Sequence, residues 1–215
     1  MNIILTGFMG TGKTAVGKRL AKLLGWSFVD VDRLIEEAAK KSVARIFAEH
    51  GERVFRRLEQ RAIRRVVRCR AHVIATGGGA FVSPENRRLL RASGPVVCLT
   101  ASPKVIQQRV ARTAGTRPLL ASGASTARIE QLMTQRASAY AKADVVIDTS
   151  ALTAEQTVGA IWDHIGPWLS KSWQYLLKHS QQLSQRYGGR YIAVLDDRIV
   201  AIGATQLETY QRIRK

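Results

Sequence analysis

The sequence predicts an α/β domain on a five-stranded parallel sheet, followed by a small α+β appendage. Two observations predict the sheet. Short apolar runs without polar alternation recur along the chain, and longer amphipathic segments separate them. Runs of the first kind suit strands buried on both faces, and helices between strands make those strands parallel. A third observation marks the appendage: near Lys171 the pattern changes to helix, two short strands and helix.

The expected strands are Asn2 to Thr6, Ser27 to Val31, His72 to Thr76, Val96 to Thr100 and Val145 to Asp148. In the first helix Val16, Leu20, Leu23 and Leu24 recur at helical spacing, and Gly25 stops it. Phe55, Leu58, Ala62 and Val66 mark one face of a long helix. Further helices are expected at Pro84 to Ala92, Pro103 to Arg112, Ser125 to Lys142 and Ala154 to Leu169. The domains are expected at 1–170 and 172–215. In the second, Ser172 to Tyr187 reads as helix, Tyr191 to Leu195 and Ile199 to Ile202 as a hairpin, and Thr205 to Arg214 as a last helix. A unit that short is near the size limit for folding alone.

Composition excludes several classes. The 215 residues are 46% hydrophobic, which supports a packed core and not a disordered chain. No apolar run approaches the roughly 20 residues that span a bilayer, and the apolar start, Met1 to Gly10, lacks a basic segment and a cleavage site. Cys69 and Cys98 fall in an expected helix and strand and read as reduced core residues. A cytoplasmic protein is expected. The net charge of +18 is spread along helices such as Arg53 to Arg70, and no nucleic-acid-reading motif accompanies it. It reads as the basic surface of an enzyme that handles anions, with no specific nucleic acid and no membrane as partner. His50, His72, His164 and His179 lack metal-ligand spacing. Trp162, Trp168, Trp173 and Tyr175 fall near helical spacing and are expected to pack the appendage.

Gly7 to Thr14, GFMGTGKT, fits G-x-x-x-x-G-K-[ST] between an expected strand and an expected helix. This is a P-loop, and it implies ATP as a substrate. Its glycines let successive N–H groups face phosphate oxygens, and the helix N-terminus adds partial positive charge. Gly10, Thr11, Gly12, Lys13, Thr14 and Ala15 are the expected nucleotide contacts. Lys13 is expected to reach the β- and γ-phosphates and the Thr14 hydroxyl to bind Mg²⁺. Asp30-Val31-Asp32 closes the second strand, where alternation puts both carboxylates on one side at the sheet's carboxyl edge. One carboxylate would hold Mg²⁺ and the other take a proton from an attacking hydroxyl. For Asp30 a helix cap is an equal alternative.

The segments Phe28 to Asp32, Ile46-Phe47, Gly51 to Glu59, Gly77 to Ala80, Arg117 to Leu120, and Arg136 with Tyr140 and Ala143-Asp144 resemble the shikimate kinase family in order and spacing. The resemblance covers about the first 165 residues. It implies a three-layer fold like that of the nucleoside monophosphate kinases. The implied reaction is Mg²⁺- and ATP-dependent phosphorylation of the shikimate 3-hydroxyl, a step toward chorismate and the aromatic amino acids. It also implies Arg56 and Arg136 as carboxylate binders, Asp32 as binder of the ring hydroxyls and base, and the Gly77-Gly78-Gly79 backbone as a substrate contact. Arg117 becomes a lid arginine on the transferring phosphoryl group. Arg109 becomes a neighbour of adenine, with an exposed helix arginine as the alternative, and Thr149 and Ser150 part of the adenine pocket. Only the lid composition departs, at Ala114-Gly115-Thr116. A gluconate-type kinase and a nucleotide-binding regulatory module are the alternatives. A monomer is expected. The appendage, which resembles a small prokaryotic module of unknown function, is the place for any association.

Overall fold

The structure, a computed structural model, describes residues 1–111, 125–169, 175, 178–195, 197–205, 208, 209 and 212. They divide into two compact units, Met1–Ala160 and Ile161–Lys215.

In the first unit five parallel strands form a sheet in the order β2-β3-β1-β4-β5. The central strand β1 (Ile3–Gly7) is buried along its whole length, as its continuous apolar run requires. It pairs with β3 (His72–Ala75) through Ile4 and Ile74, and with β4 (Val96–Thr100) through Leu5 and Val97. The edge strands are β2 (Ser27–Asp30), against β3, and β5 (Val145–Asp148), against β4. Crossovers run through α1 (Lys13–Leu24), α2 (Val31–Ala39) with α3 (Val43–Val66), α4 (Pro84–Ser93), and α5 (Pro103–Ala111) with α6 (Thr126–Tyr140). Helix α7 (Ala154–Leu169) follows β5.

Local chemistry sets these boundaries. Ser42, Ser83 and Ser125 each cap a helix by accepting the amide of the third residue on, and Pro84 starts α4 where no amide partner is needed. The main core cluster fills one face of the sheet: Ile4, Ile74 and Cys98 from strands meet Ile35, Ile63, Leu90 and Ile106 from helices, all at most 2% exposed. Burying such side chains stabilises by roughly 2 kcal/mol each.

Several expectations need correction. The second strand stops at Asp30, so Val31 and Asp32 belong to α2 and not to a strand. The long helix begins at Val43 and is kinked at Gly51, whose φ of 73° and ψ of 173° are not helical. Thr76 lies beyond β3. Cys98 is buried, but Cys69 is exposed and follows α3, so it is no core residue. Arg112 lies outside the described residues.

In the second unit, α8 (Ser180–Tyr187) precedes an antiparallel hairpin of β6 (Tyr191–Leu195) and β7 (Arg198–Gly203). The expected helix from Ser172 is described continuously only from Ser180, and Trp173 and the side chain of Trp168 lie outside the described residues. Of the expected last helix, Glu208, Thr209 and Arg212 are described as helical. No helix among the described residues is long and apolar enough to cross a membrane.

Candidate active site

The P-loop leaves β1 at Gly7 and enters α1 at Lys13. Its turn needs Gly12, whose φ of 94° is strained for any residue with a Cβ. The Thr11 hydroxyl braces the loop by donating to the Phe8 carbonyl at 2.8 Å. Lys13 Nζ donates to the Gly7 and Phe8 carbonyls at 2.9 and 2.8 Å, so the ammonium lies folded over the loop that cradles phosphate.

A cavity of about 530 Å³ opens beside this loop at the carboxyl edge of the sheet. Gly10, Gly12, Lys13, Thr14 and Ala15 line one part of it; Asp30, Asp32, Arg56, Glu59, Gly77, Gly78, Gly79 and Arg136 line the other. Val43, Phe47 and Phe55 add an apolar wall, with the two rings 4.7 Å apart.

Asp30 takes the helix-cap role left open for it and also meets Thr14. One oxygen accepts the Asp32 amide at 3.2 Å and caps α2, while the other accepts the Thr14 hydroxyl at 2.8 Å. Asp32 therefore reaches the cavity from the first turn of a helix, not by strand alternation. Its Oδ1 is buried and has no hydrogen-bond partner among the described residues. Burial, followed by the charge of Asp30, pushes its carboxyl up to about 6, although Lys13 and Arg56 pull the other way.

Arg56 spans two carboxylates: Nη2 meets Glu52 at 2.9 Å, and Nη1 meets Glu59 Oε1 and Oε2 at 3.1 and 3.0 Å. Glu59 is 0% exposed. Burial raises its carboxyl to about 7 and outweighs the attraction of Arg56. Arg136 is buried over the Phe8 ring, with its guanidinium 5.3 Å from the centroid, and its Nη1 has no partner among the described residues. A Cβ at Gly79 would lie 2.5 Å from Arg56 Nη2, so a side chain there would displace the arginine.

Arg109 is not a free surface residue. It donates to Thr149 Oγ1 and O at 3.0 and 2.8 Å and to Gly10 O at 3.4 Å, tying the P-loop to the residue after β5. Ser150 donates its hydroxyl to Asp148 and accepts the Ser102 amide. Arg117 lies outside the described residues.

Two members of the constellation carry roles the sequence reading did not assign. Glu59 was legible as an acidic residue three positions after Arg56 on one helix, a spacing that favours an ion pair. Tyr140, whose hydroxyl donates to Gly78 O at 2.5 Å, was legible only as part of the resemblance.

Thr14 and Asp30 offer adjacent hard oxygens beside the phosphate cradle. That set fits Mg²⁺, which takes few protein oxygens and completes its shell with phosphates and water. Among the described residues no group of three or more His, Cys, Asp or Glu side chains forms an all-protein metal cage.

A phosphate cradle with an unpartnered carboxylate oxygen and an unpartnered guanidinium nitrogen in one cavity makes this a P-loop kinase for a small acceptor. The family model described as shikimate kinase matches residues 9–166. The chain belongs to the shikimate kinase family. It is 47% identical over 155 residues to shikimate kinase of Caldanaerobacter subterraneus subsp. tengcongensis, covering 72% of this chain and 90% of that protein. It is 49% identical over 160 residues to shikimate kinase of Geobacter sulfurreducens, covering 74% and 88%. Among solved structures, shikimate kinase from Acinetobacter baumannii in complex with shikimate matches with a TM-score of 0.72 at 33% identity, over 85% of this chain and 94% of that one.

Proposed function

We propose that this chain transfers the γ-phosphoryl group of ATP to the 3-hydroxyl of shikimate. The observation that carries the reading is the pair of unpartnered buried atoms, Asp32 Oδ1 and Arg136 Nη1, in one cavity. Buried polar atoms are almost always bonded, so an orphan acceptor and an orphan cationic donor point to a ligand with a hydroxyl and an anionic group. Arg56 and Arg136 hold the carboxylate, and the Gly77 to Gly79 backbone meets the ring. The 3-hydroxyl oxygen attacks the γ-phosphorus, the bond to the ADP oxygen breaks, and the hydroxyl proton passes to Asp32.

Lys13 and the P-loop amides hold the phosphates, and Arg117 is assigned to the transferring group. Mg²⁺, held by Thr14 and Asp30, would neutralise charge on the β- and γ-phosphates. Arg109 keeps the adenine side of the loop in register through Gly10 and Thr149. The reading is completed by a monomeric, cytoplasmic enzyme whose chemistry needs only the first domain.

Coupled measurement of ADP release with shikimate, gluconate or no acceptor tests this reading. Turnover that requires shikimate supports it, and equal rates with gluconate would overturn it.

A further inference from the structure

Tyr140 ends α6, one helical turn after Arg136, and both side chains are buried, at 7% and 8% exposure. Arg136 lines the acceptor cavity and Tyr140 does not. The Tyr140 hydroxyl donates to the Gly78 carbonyl at 2.5 Å, and the positive charge of nearby Arg136 acts on the same phenol against the burial that pushes it up. A phenol has one proton to give and lone pairs to accept with, so it can serve both neighbours at once.

We propose that Tyr140 is a positioning residue for the acceptor, holding the Arg136 guanidinium and the Gly78–Gly79 peptide in register with each other. The peptide is planar and trans, so fixing the Gly78 carbonyl also fixes the direction of the Gly79 N–H, which points the opposite way. The Arg136 guanidinium sits close to this peptide, 3.2 Å from where a Gly78 Cβ would stand. One hydroxyl thereby sets the spacing between the cation that takes an anionic group and the amide that faces the ring. A ring without the hydroxyl keeps the packing and loses the register.

The proposal rests on reading the cavity as the shikimate site, and Tyr140→Phe in the full chain separates the two ideas. Kinetic constants for shikimate and for ATP are measured on wild type and variant, with shikimate methyl ester as a second acceptor. The expected result is a KM for shikimate raised about tenfold, with the ATP KM and kcat little changed and a narrower preference for shikimate over the ester. An unchanged shikimate KM would overturn the proposal even if Tm falls, because that pattern marks packing alone. An equal rise in both KM values would also overturn it. Wild type that ignores shikimate altogether would remove the reading beneath the proposal, and the proposal with it.

Discussion

Arg56 grips Glu59 with one nitrogen, Nη1, at 3.1 and 3.0 Å from its two oxygens, and Glu59 is fully buried beneath it. In the proposed reading the pair lets a buried carboxylate sit next to a site for another anion, because Arg56 would carry charge for both. Removing Arg56 strands the carboxyl of Glu59, which burial already raises from 4.5 to about 7. Its folded-state value then moves higher still. A buried acid with a raised value costs stability as pH climbs from its unfolded value through its folded one. Arg56→Ala is therefore expected to lose more Tm relative to wild type at pH 8.5 than at pH 6. Its KM for shikimate should rise about 10- to 100-fold, the loss of a charged hydrogen-bonding group. Thermal melts at the two pH values and acceptor titration check both parts.

Gly79→Ala should separate binding from folding. The added methyl meets Arg56 Nη2 and Nη1 at 2.5 and 2.7 Å, and these are the ends of a flexible side chain. The arginine yields and the backbone need not, because Gly79 has φ −99°, within reach of any residue. We expect a Tm change of less than about 1 kcal/mol equivalent and a raised KM for shikimate, with the ATP KM unaffected. A parallel rise in both constants would refute the assignment of Gly79 to the acceptor half.

Much of this was legible in the sequence, and the misses have physical causes. The Gly7 to Thr14 motif fixed one strand end, one helix start and the phosphate cradle together, because its glycines and Lys-Thr pair serve no other common purpose there. Asp32 was expected at the carboxyl edge of the sheet and lines the cavity there, but it reaches it from a helix and not by strand alternation. Alternation alone does not reveal that Asp30 caps a helix, since Asp-Val-Asp suits a strand end and a first helical turn equally. The kink at Gly51 was hidden inside a helical pattern that continues on either side. The burial of Glu59 and the partnership of Tyr140 with Gly78 depend on packing. The second joins residues 62 apart in sequence, which no local period can encode.

Asp32 offers a stability test independent of turnover. Its carboxyl is raised from 3.8 to about 6, chiefly by burial, so ionising it in the folded protein costs free energy. The folded state binds the proton more tightly than the unfolded chain, and stability falls as pH rises between those values and stays lower above about 6. Asp32→Asn removes that cost. It should raise Tm at pH 7.5 by the equivalent of about 2 kcal/mol and leave it almost unchanged near pH 4. In wild type, kcat/KM for shikimate should decline as pH drops below about 6, because the base must be ionised. Melts and a pH–rate profile decide; a variant less stable at pH 7.5 would contradict the burial argument.

The second domain should be dispensable for the chemistry, because every residue given a catalytic or binding role precedes it in sequence. A chain truncated after Lys171 is expected to keep shikimate-dependent turnover within about threefold of the full chain, a change of less than 1 kcal/mol in barrier. Loss of turnover in a truncated chain that still melts cooperatively would show that the appendage contributes to the site.

The most direct test of the whole account is ADP release from ATP and Mg²⁺, with and without shikimate, in wild type and Asp32→Asn. The account predicts turnover that depends on shikimate in wild type and falls by about 10²- to 10⁴-fold in the variant, the usual contribution of a positioned base, while ATP still binds. Turnover that persists in the variant, or that never depended on shikimate, would contradict it.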